Sequence, residues 1–265
     1  MNSSRPRIRM GQVDIDVMTF TEAIDAIERL VNARDGGMVF TPNVDHIVNA
    51  ESNEEFRNAY RSASLSLVDG QPLVWASRLW STRLPEKISG SDLVIPLLER
   101  AAERGWRVYL LGAGPGVAEK AAMLLREKVH VNVVGTDAPV IRIGDLVQNA
   151  RVASAIRMAS PELVLVAFGS PKQELFIHQV ADTLKPAVFL GIGASLDFMV
   201  GKAKRAPQWM SRAGLEWLYR LVHEPRRMWR RYLVNDLEFF AILLRYIRSA
   251  RRAQASNGHT NAGAQ

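Results

Sequence analysis

Asp69 ends the apolar run LSLV (65–68) and is followed by Gly70. A carboxylate so placed can take a proton from an alcohol while that oxygen attacks an electrophilic carbon. The Asp-Gly pair is equally the usual mark of an Asx turn. Thr41 and Asn43 flank Pro42, whose ring fixes the backbone, and share one face of an extended TPN segment. They offer neutral hydrogen-bonding groups to a sugar or an alcohol, or they make a structural turn. In GSPKQE (169–174) Lys172, Gln173 and Glu174 open a helix. Gln173, which can contact a hydroxyl or phosphate without titrating, is expected to face a ligand. Glu174, near the positive end of a helix dipole, is expected to be structural. The loop GAGPG (112–116) either turns backbone N–H groups toward a phosphate or is a plain tight turn. It has neither the G-x-G-x-x-G spacing nor the lysine of a P-loop.

Something must bring these separated residues together, and the sequence supplies it. Six short apolar runs, MVFTPN (38–43), LSLVDG (65–70), RVYLLGAG (107–114), VNVVG (131–135), LVLVAFGSPKQ (163–173) and AVFLGIGASLD (187–197), each stop at glycine or a polar residue. Helix-like stretches separate them, so they read as parallel strands buried on both faces of a doubly wound α/β sheet. Ligands of such sheets bind in the crevice beyond the carboxyl ends of the strands. Thr41, Asn43, Asp69, Gln71, Gly112, Gln173 and Asp197 are therefore predicted to gather on one edge.

Between the runs, Val13, Ile15 and Val17 alternate as a small β element, and Phe20-Thr21-Glu22 starts a helix. Residues 44–62 and 71–82 read as helices. The segment 89–105 offers Ser91 as N-cap and Gly105 as its stop. Residues 136–148 read as a loop reaching the next helix, which Pro161 ends, and 172–184 reads as another crossover helix.

The 265 residues, 48% hydrophobic and 23% charged, suffice for one core plus an appendage. With no cysteine the chain has no disulfide, thiolate metal site or cysteine nucleophile. The N-terminal MNSSRPRIRMGQVDID lacks an apolar stretch after its basic residues, so no secretory signal is expected. No run reaches the roughly 18 apolar residues of a membrane span, so the body is expected to be soluble. The five histidines, His46, His130, His178, His223 and His259, lack metal-ligand spacing, and neither H-E-x-x-H nor G-x-S-x-G occurs. No metal or other cofactor is expected, and cations must neutralise any leaving group.

The net charge of +7 is concentrated late in the chain: residues 202–252 carry 13 Lys+Arg against 4 Asp+Glu. Trp209, Trp217 and Trp229 interleave with Arg212, Arg220, Arg226, Arg227, Arg230 and Arg231. Around Trp229 an apolar stripe takes in Leu233, Leu237, Phe240, Leu244 and Ile247, widened by Phe239 and Ile242, beside an arginine face. Such a helix either lies in a lipid interface or packs on protein, and the arginines are solvated or bind phosphate. The expected organisation is a core over 1–201, a basic helical appendage over 202–252 and a disordered tail over 253–265. A cationic surface attracts any polyanion. Nucleic acid, an anionic bilayer and a pyrophosphate all qualify on charge alone, and no nucleic acid is expected once the family resemblance below is added.

Taken together, TPNVDH, VDGQP, ISGSDL, VYLLGAGPGVAEKAA, FGSPKQE, GIGASLDFMVGKAKRAPQW and GLEWLYRLVHEPRRMWRRYL resemble the successive motifs of the WecG/TagA/CpsF glycosyltransferases over about residues 11–235. The resemblance implies a Rossmann-like fold and inverting, metal-independent transfer. The donor would be a UDP-sugar and the acceptor a polyprenyl-diphosphate-linked sugar. The work would be done in the cytoplasm, peripherally on the inner face of the plasma membrane, for cell-surface polysaccharide synthesis. It implies that Asp69 is the base and that Thr41, Asn43 and Gln173 surround the reacting sugars. Asp197 would lie near the donor nucleoside, and Arg220, Arg227 and Arg230 would be diphosphate ligands in a segment closing over the site. Gln71, Lys87, Gly112, Gly114 and Gly169 complete the expected substrate-binding set. Relatives differ in the sugar moved, N-acetylmannosamine, its uronic acid, glucose or galactose, and suggest a homo-oligomer. Two departures stand out. Lys87 replaces the usual arginine, losing bidentate phosphate geometry, and GTDAPV (135–140) lacks the usual glycine-aromatic ending. Two rivals predict different behaviour: a membrane- or polyanion-binding module on an inactive α/β core, and a dinucleotide-dependent oxidoreductase.

Overall fold

Alternation sets the first element: in RIRM, Ile8 and Met10 are buried while the arginines between them face outward. This β1 (Arg7–Met10) turns at Gly11 into β2 (Val13–Asp16), antiparallel, with Ile8 opposite Ile15. The chain then runs through α1 (Phe20–Ala33), β3 (Gly37–Phe40), α2 (Val44–Ser52), α3 (Glu54–Arg61), β4 (Leu65–Ser66) and α4 (Gln71–Ala76). It continues with α5 (Gly90–Arg104), β5 (Arg107–Gly112), α6 (Val117–Lys128), β6 (Asn132–Asp137) and α7 (Leu146–Ala159). The series ends with β7 (Leu163–Ala167), α8 (Lys172–Val180), β8 (Val188–Gly191), α9 (Ser195–Met199) and α10 (Glu216–His223). This computed structural model describes residues 5–204, 206–207, 209–210, 215–223, 238–246 and 248.

All six expected runs form one parallel sheet in the order β4-β3-β8-β7-β5-β6. Side chains alternate between its two faces. Met38, Phe40, Tyr109, Leu111, Val164, Val166 and Phe189 enter one core with α2, α3, α7, α8 and the β1–β2 hairpin. Val39, Val108, Leu110, Leu163, Leu165, Val188 and Leu190 enter a second core with α1, α5 and α6. Every residue of β7 and β8 is buried, which is why these strands read as unbroken apolar runs. The strand order creates two crevices at the carboxyl rim. β5 leads outward to β6 while β7 returns on its other side, and β3 leads outward to β4 while β8 arrives on its other side.

Helix caps refine the sequence reading. Thr19 caps α1 in a reciprocal box with Glu22, one residue before the expected Phe20-Thr21 start. Ser89, not Ser91, caps α5: its hydroxyl accepts from the Asp92 N–H at 3.3 Å, and Ser91 lies inside the first turn. The reading missed it because both serines precede Asp92 and only the backbone decides which is outside the helix. The stretch 44–62 is two helices, broken at Asn53, which ends α2 and caps α3 through Phe56 N–H.

On β2, Asp14-Ile15-Asp16 spells the D-x-D of metal-chelating transferases, but here it serves the fold. Asp16 is buried, pairs with Arg7 at 2.8 Å and accepts from Ser66 N–H at 2.7 Å. Asp14 faces Arg9 at 3.7 Å.

The helical stretch 238–246 packs differently from the expected stripe. Phe239 and Ile242 are buried in the first core, whereas Phe240 and Leu244 are exposed. Tyr246 stacks on Trp80 with ring centroids 4.1 Å apart, and Arg245 pairs with Glu51 at 3.2 Å. Part of the proposed appendage is thus joined to the core. Arg227, Arg230, the Trp229 region and the tail 253–265 lie outside the described residues.

Candidate active site

Four chain segments meet where β3, β4 and β8 end. The Asp69 N–H donates to the Pro42 carbonyl at 2.8 Å, joining the VDG turn to the TPN segment. The Ile88 N–H donates to the Val68 carbonyl at 2.7 Å, bringing Lys87 to Gly90 alongside. Thr41 is buried, and its Oγ1 lies 3.4 Å from where a Cβ on Gly90 would stand. Gly70 adopts φ 107°, a left-handed value that only glycine takes readily, and this lets the chain turn sharply past Asn43 after Asp69. Asp69 is half-buried on this rim, neither sealed in the core nor fully exposed. Gln71, also half-buried, begins α4.

Gln173 closes the far side. Its Oε1 accepts from the Gly193 N–H at 3.1 Å and its Nε2 donates to Glu174 Oε1 at 2.7 Å. The carboxamide lies across the end of β8, where a Cβ on Gly191 would stand 2.8 Å from Nε2. Gln173 is therefore buried, with both ends of its amide bonded to the protein. Asn43 also has a local duty, since its side-chain oxygen accepts from His46 N–H at 3.3 Å as the cap of α2.

A buried polar group lies behind these residues. Glu174 is fully buried, and that desolvation pushes its carboxyl up to about 7 against the opposing hydrogen bonds from Gln173, its own backbone N–H and Ser170. The Tyr60 hydroxyl stands 2.6 Å from His46 Nδ1 and donates to it when His46 carries its proton on Nε2. Burial first, then the negative charges of Glu174 and Asp69, raise Tyr60 well above its ordinary range. Tyr60 is thus within electrostatic reach of both carboxyls. The sequence reading missed Tyr60 and the second face of Glu174, because a tertiary contact between α3 and α8 leaves no local signature.

The second crevice holds the phosphate candidates. Gly112, with φ 103°, has no room for a side chain, since a Cβ would stand 2.8 Å from the Ala167 carbonyl. Gly114 lies directly under Lys202 Nζ, and Lys202 faces Asp197 at 3.9 Å. A cavity of about 430 Å³ opens here between Pro115, Gly116, Lys120, Gly201 and Lys202. Gly169, with φ 73°, has open space beside it. Lys87 pairs with Asp92 at 3.4 Å at the start of α5. A separate cavity of about 400 Å³ lies between α3, α7 and α8, lined by Arg142, Lys172, Phe176 and neighbours. Neither cavity is lined by Asp69, which lies beyond the end of β4. Arg220 is on α10.

A doubly wound sheet of this kind takes its ligands in the crevices at the carboxyl rim, where these polar residues stand. The chain belongs to the glycosyl transferase WecG/TagA/CpsF family, whose model matches residues 8–253. It is 34% identical over 219 residues to the N-acetylglucosaminyldiphosphoundecaprenol N-acetyl-beta-D-mannosaminyltransferase of Bacillus subtilis (strain 168), covering 80% of this chain and 82% of that one. It is 31% identical over 231 residues to the protein of the same name from Bacillus spizizenii (strain ATCC 23059 / NRRL B-14472 / W23), covering 87% of each. The chain is accordingly a glycosyltransferase.

Proposed function

We propose that this glycosyltransferase moves an N-acetylmannosamine-type hexose from a UDP-sugar to a polyprenyl-diphosphate-linked sugar, with inversion and without a metal ion. The observation that carries the reading is the meeting of Thr41, Asn43 and Asp69 at the carboxyl rim of a sheet whose other crevice holds a glycine turn flanked by Lys120 and Lys202. The names of the two Bacillus relatives supply the sugar and the carrier.

In this mechanism Asp69 takes the proton of the acceptor hydroxyl, and the freed oxygen forms a bond to the anomeric carbon from the face opposite the nucleotide. The bond from that carbon to the phosphate oxygen breaks, and UDP leaves with the electron pair. Asp69 then returns its proton to water. Thr41 and Asn43 orient the hydroxyls, while Lys120, Lys202 and the start of α6 neutralise the diphosphate. Asp197 lies beside Lys202, and in this mechanism it meets the nucleoside of the donor. Arg220, Arg227 and Arg230 add to the diphosphate's cationic surroundings, and the segment 202–252 brings the enzyme to the membrane that holds its acceptor. Among the described residues no helix is long and apolar enough to cross a membrane, which fits a peripheral mode of attachment.

The test is transfer by the full chain from a panel of UDP-sugars to a short-chain polyprenyl-diphosphate N-acetylglucosamine, with and without chelator. UDP-N-acetylmannosamine should give a β-linked product at a rate that chelator leaves unchanged. Turnover of another UDP-sugar alone would overturn the sugar assignment, an α-linked product the inversion, and no transfer from any donor the whole reading.

A further inference from the structure

Glu174 was read from the sequence as a helix-dipole residue, yet it is buried one residue beyond Gln173 and behind the reacting rim. Its Oε1 accepts from Gln173 Nε2 at 2.7 Å, and Gln173 Oε1 accepts from Gly193 N–H at 3.1 Å. These two bonds dictate which way the amide points: turned over, it would set oxygen against oxygen and N–H against N–H. Glu174 Oε2 and the Ser170 hydroxyl are buried with no bond of good geometry to any described residue, yet Ser170 stands near enough to favour the ionised carboxyl. An ionised carboxylate in that position would keep these hydrogen bonds but have no cation to balance its charge among the described residues, whereas a proton on Oε2 removes the charge.

Besides Gln173, only Ser170 and the backbone N–H of Glu174 favour the charged form, and burial outweighs all three. From α3 comes Tyr60, whose hydroxyl meets His46, and from α2 comes Asp45, whose charge also favours the protonated form. Asp69 acts on the same Tyr60 from the rim. Strands β3, β7 and β8 contain no titratable residue, Arg151 and Arg157 of α7 are exposed, and His178 lies one turn further along α8. No cation among the described residues pairs with Glu174.

We propose that Glu174 is a positioning residue for the transfer reaction: as a neutral acid it clamps Gln173 against the Gly191–Gly193 turn, and its ionisation loosens that clamp and adds a second negative charge behind Asp69. The proposal rests on the glycosyl transfer described above. It gives the enzyme an alkaline limit set by a residue that does not touch substrate.

The experiment compares kcat and KM across about pH 6 to 9 for the wild type, Glu174→Gln and Glu174→Ala. The wild type should lose kcat through neutral pH and above. Glu174→Gln, a permanent copy of the neutral acid, should keep the maximal kcat and lose this alkaline limb. Glu174→Ala should lose about tenfold or more in kcat at every pH with donor KM little changed. An unchanged alkaline limb in Glu174→Gln, an inactive but folded Glu174→Gln, or a fully active Glu174→Ala would each overturn the proposal. A second readout is independent of turnover: hydrogen exchange at Gly193, corrected for its intrinsic pH dependence. Protection there should fall as the wild type passes through neutral pH but stay constant in Glu174→Gln. If no donor is turned over, the functional reading fails while this exchange result still decides the clamp. Equal pH dependence in the two proteins would overturn the clamp itself.

Discussion

Replacing Glu174 with glutamine isolates the free energy of holding an ionisable carboxyl in the core, and its size follows from the structure. The carboxyl titrates at about 7 when folded, against 4.5 for an unperturbed glutamate, because burial removes its hydration. A raised acid stabilises the folded state below the unfolded value, and that stabilisation is lost as pH rises through the folded value. The gap corresponds to about 3 kcal/mol at about 1.36 kcal/mol per pH unit, and most of it falls between pH 5 and pH 8. The assay is urea unfolding of both proteins at pH 5, 6, 7 and 8. Between the ends of that range the wild type should lose about 2 to 3 kcal/mol relative to Glu174→Gln, a midpoint change on the order of 1 M urea. Residues common to the two proteins cancel in the comparison. Parallel stability curves would mean that Glu174 is solvated or paired in solution, and the argument from its burial would be wrong.

Other consequences can be checked separately. Gly191→Ala forces a methyl to within 2.8 Å of Gln173 Nε2, and the displaced amide should cost about 10²-fold in kcat with the circular dichroism spectrum unchanged. Phe239→Ala should destabilise the protein by about 3 kcal/mol in urea unfolding if the helical stretch 238–246 is seated in the core. A wild-type unfolding curve would mean that it is not. Lys202→Ala should weaken UDP binding about 3- to 10-fold in calorimetry, more at low salt than at high salt. Equal affinities would remove Lys202 from the diphosphate site.

The sheet could be read from the sequence because doubly covered strands leave a plain trace. LVLVA and VFLG are apolar at every position, having helices on both faces, and each strand's polar ending marks the same rim. That is why Asp69, Thr41 and Asn43 could be placed together without coordinates. β1 was not legible, since RIRM is short and its exposed arginines resemble a basic terminal segment. The face by which 238–246 docks was not legible for a related reason. A helical wheel ranks apolar residues by angle, but the β1–β2 turn at Gly11 and the side of α2 select Phe239 and Ile242 and leave Phe240 and Leu244 outside. Glu174 obeys a dipole rule locally, and only the packing of α3 on α8 turns it into a buried acid beside Tyr60.

Asp69→Asn removes the proton acceptor, leaves the shape of the rim, and so shows whether Asp69 activates the acceptor hydroxyl. Steady-state transfer from UDP-N-acetylmannosamine should fall by about 10²- to 10⁴-fold while calorimetric affinity for UDP stays at the wild-type value. A variant that keeps most of its kcat, or that loses UDP binding in proportion to activity, would contradict the account.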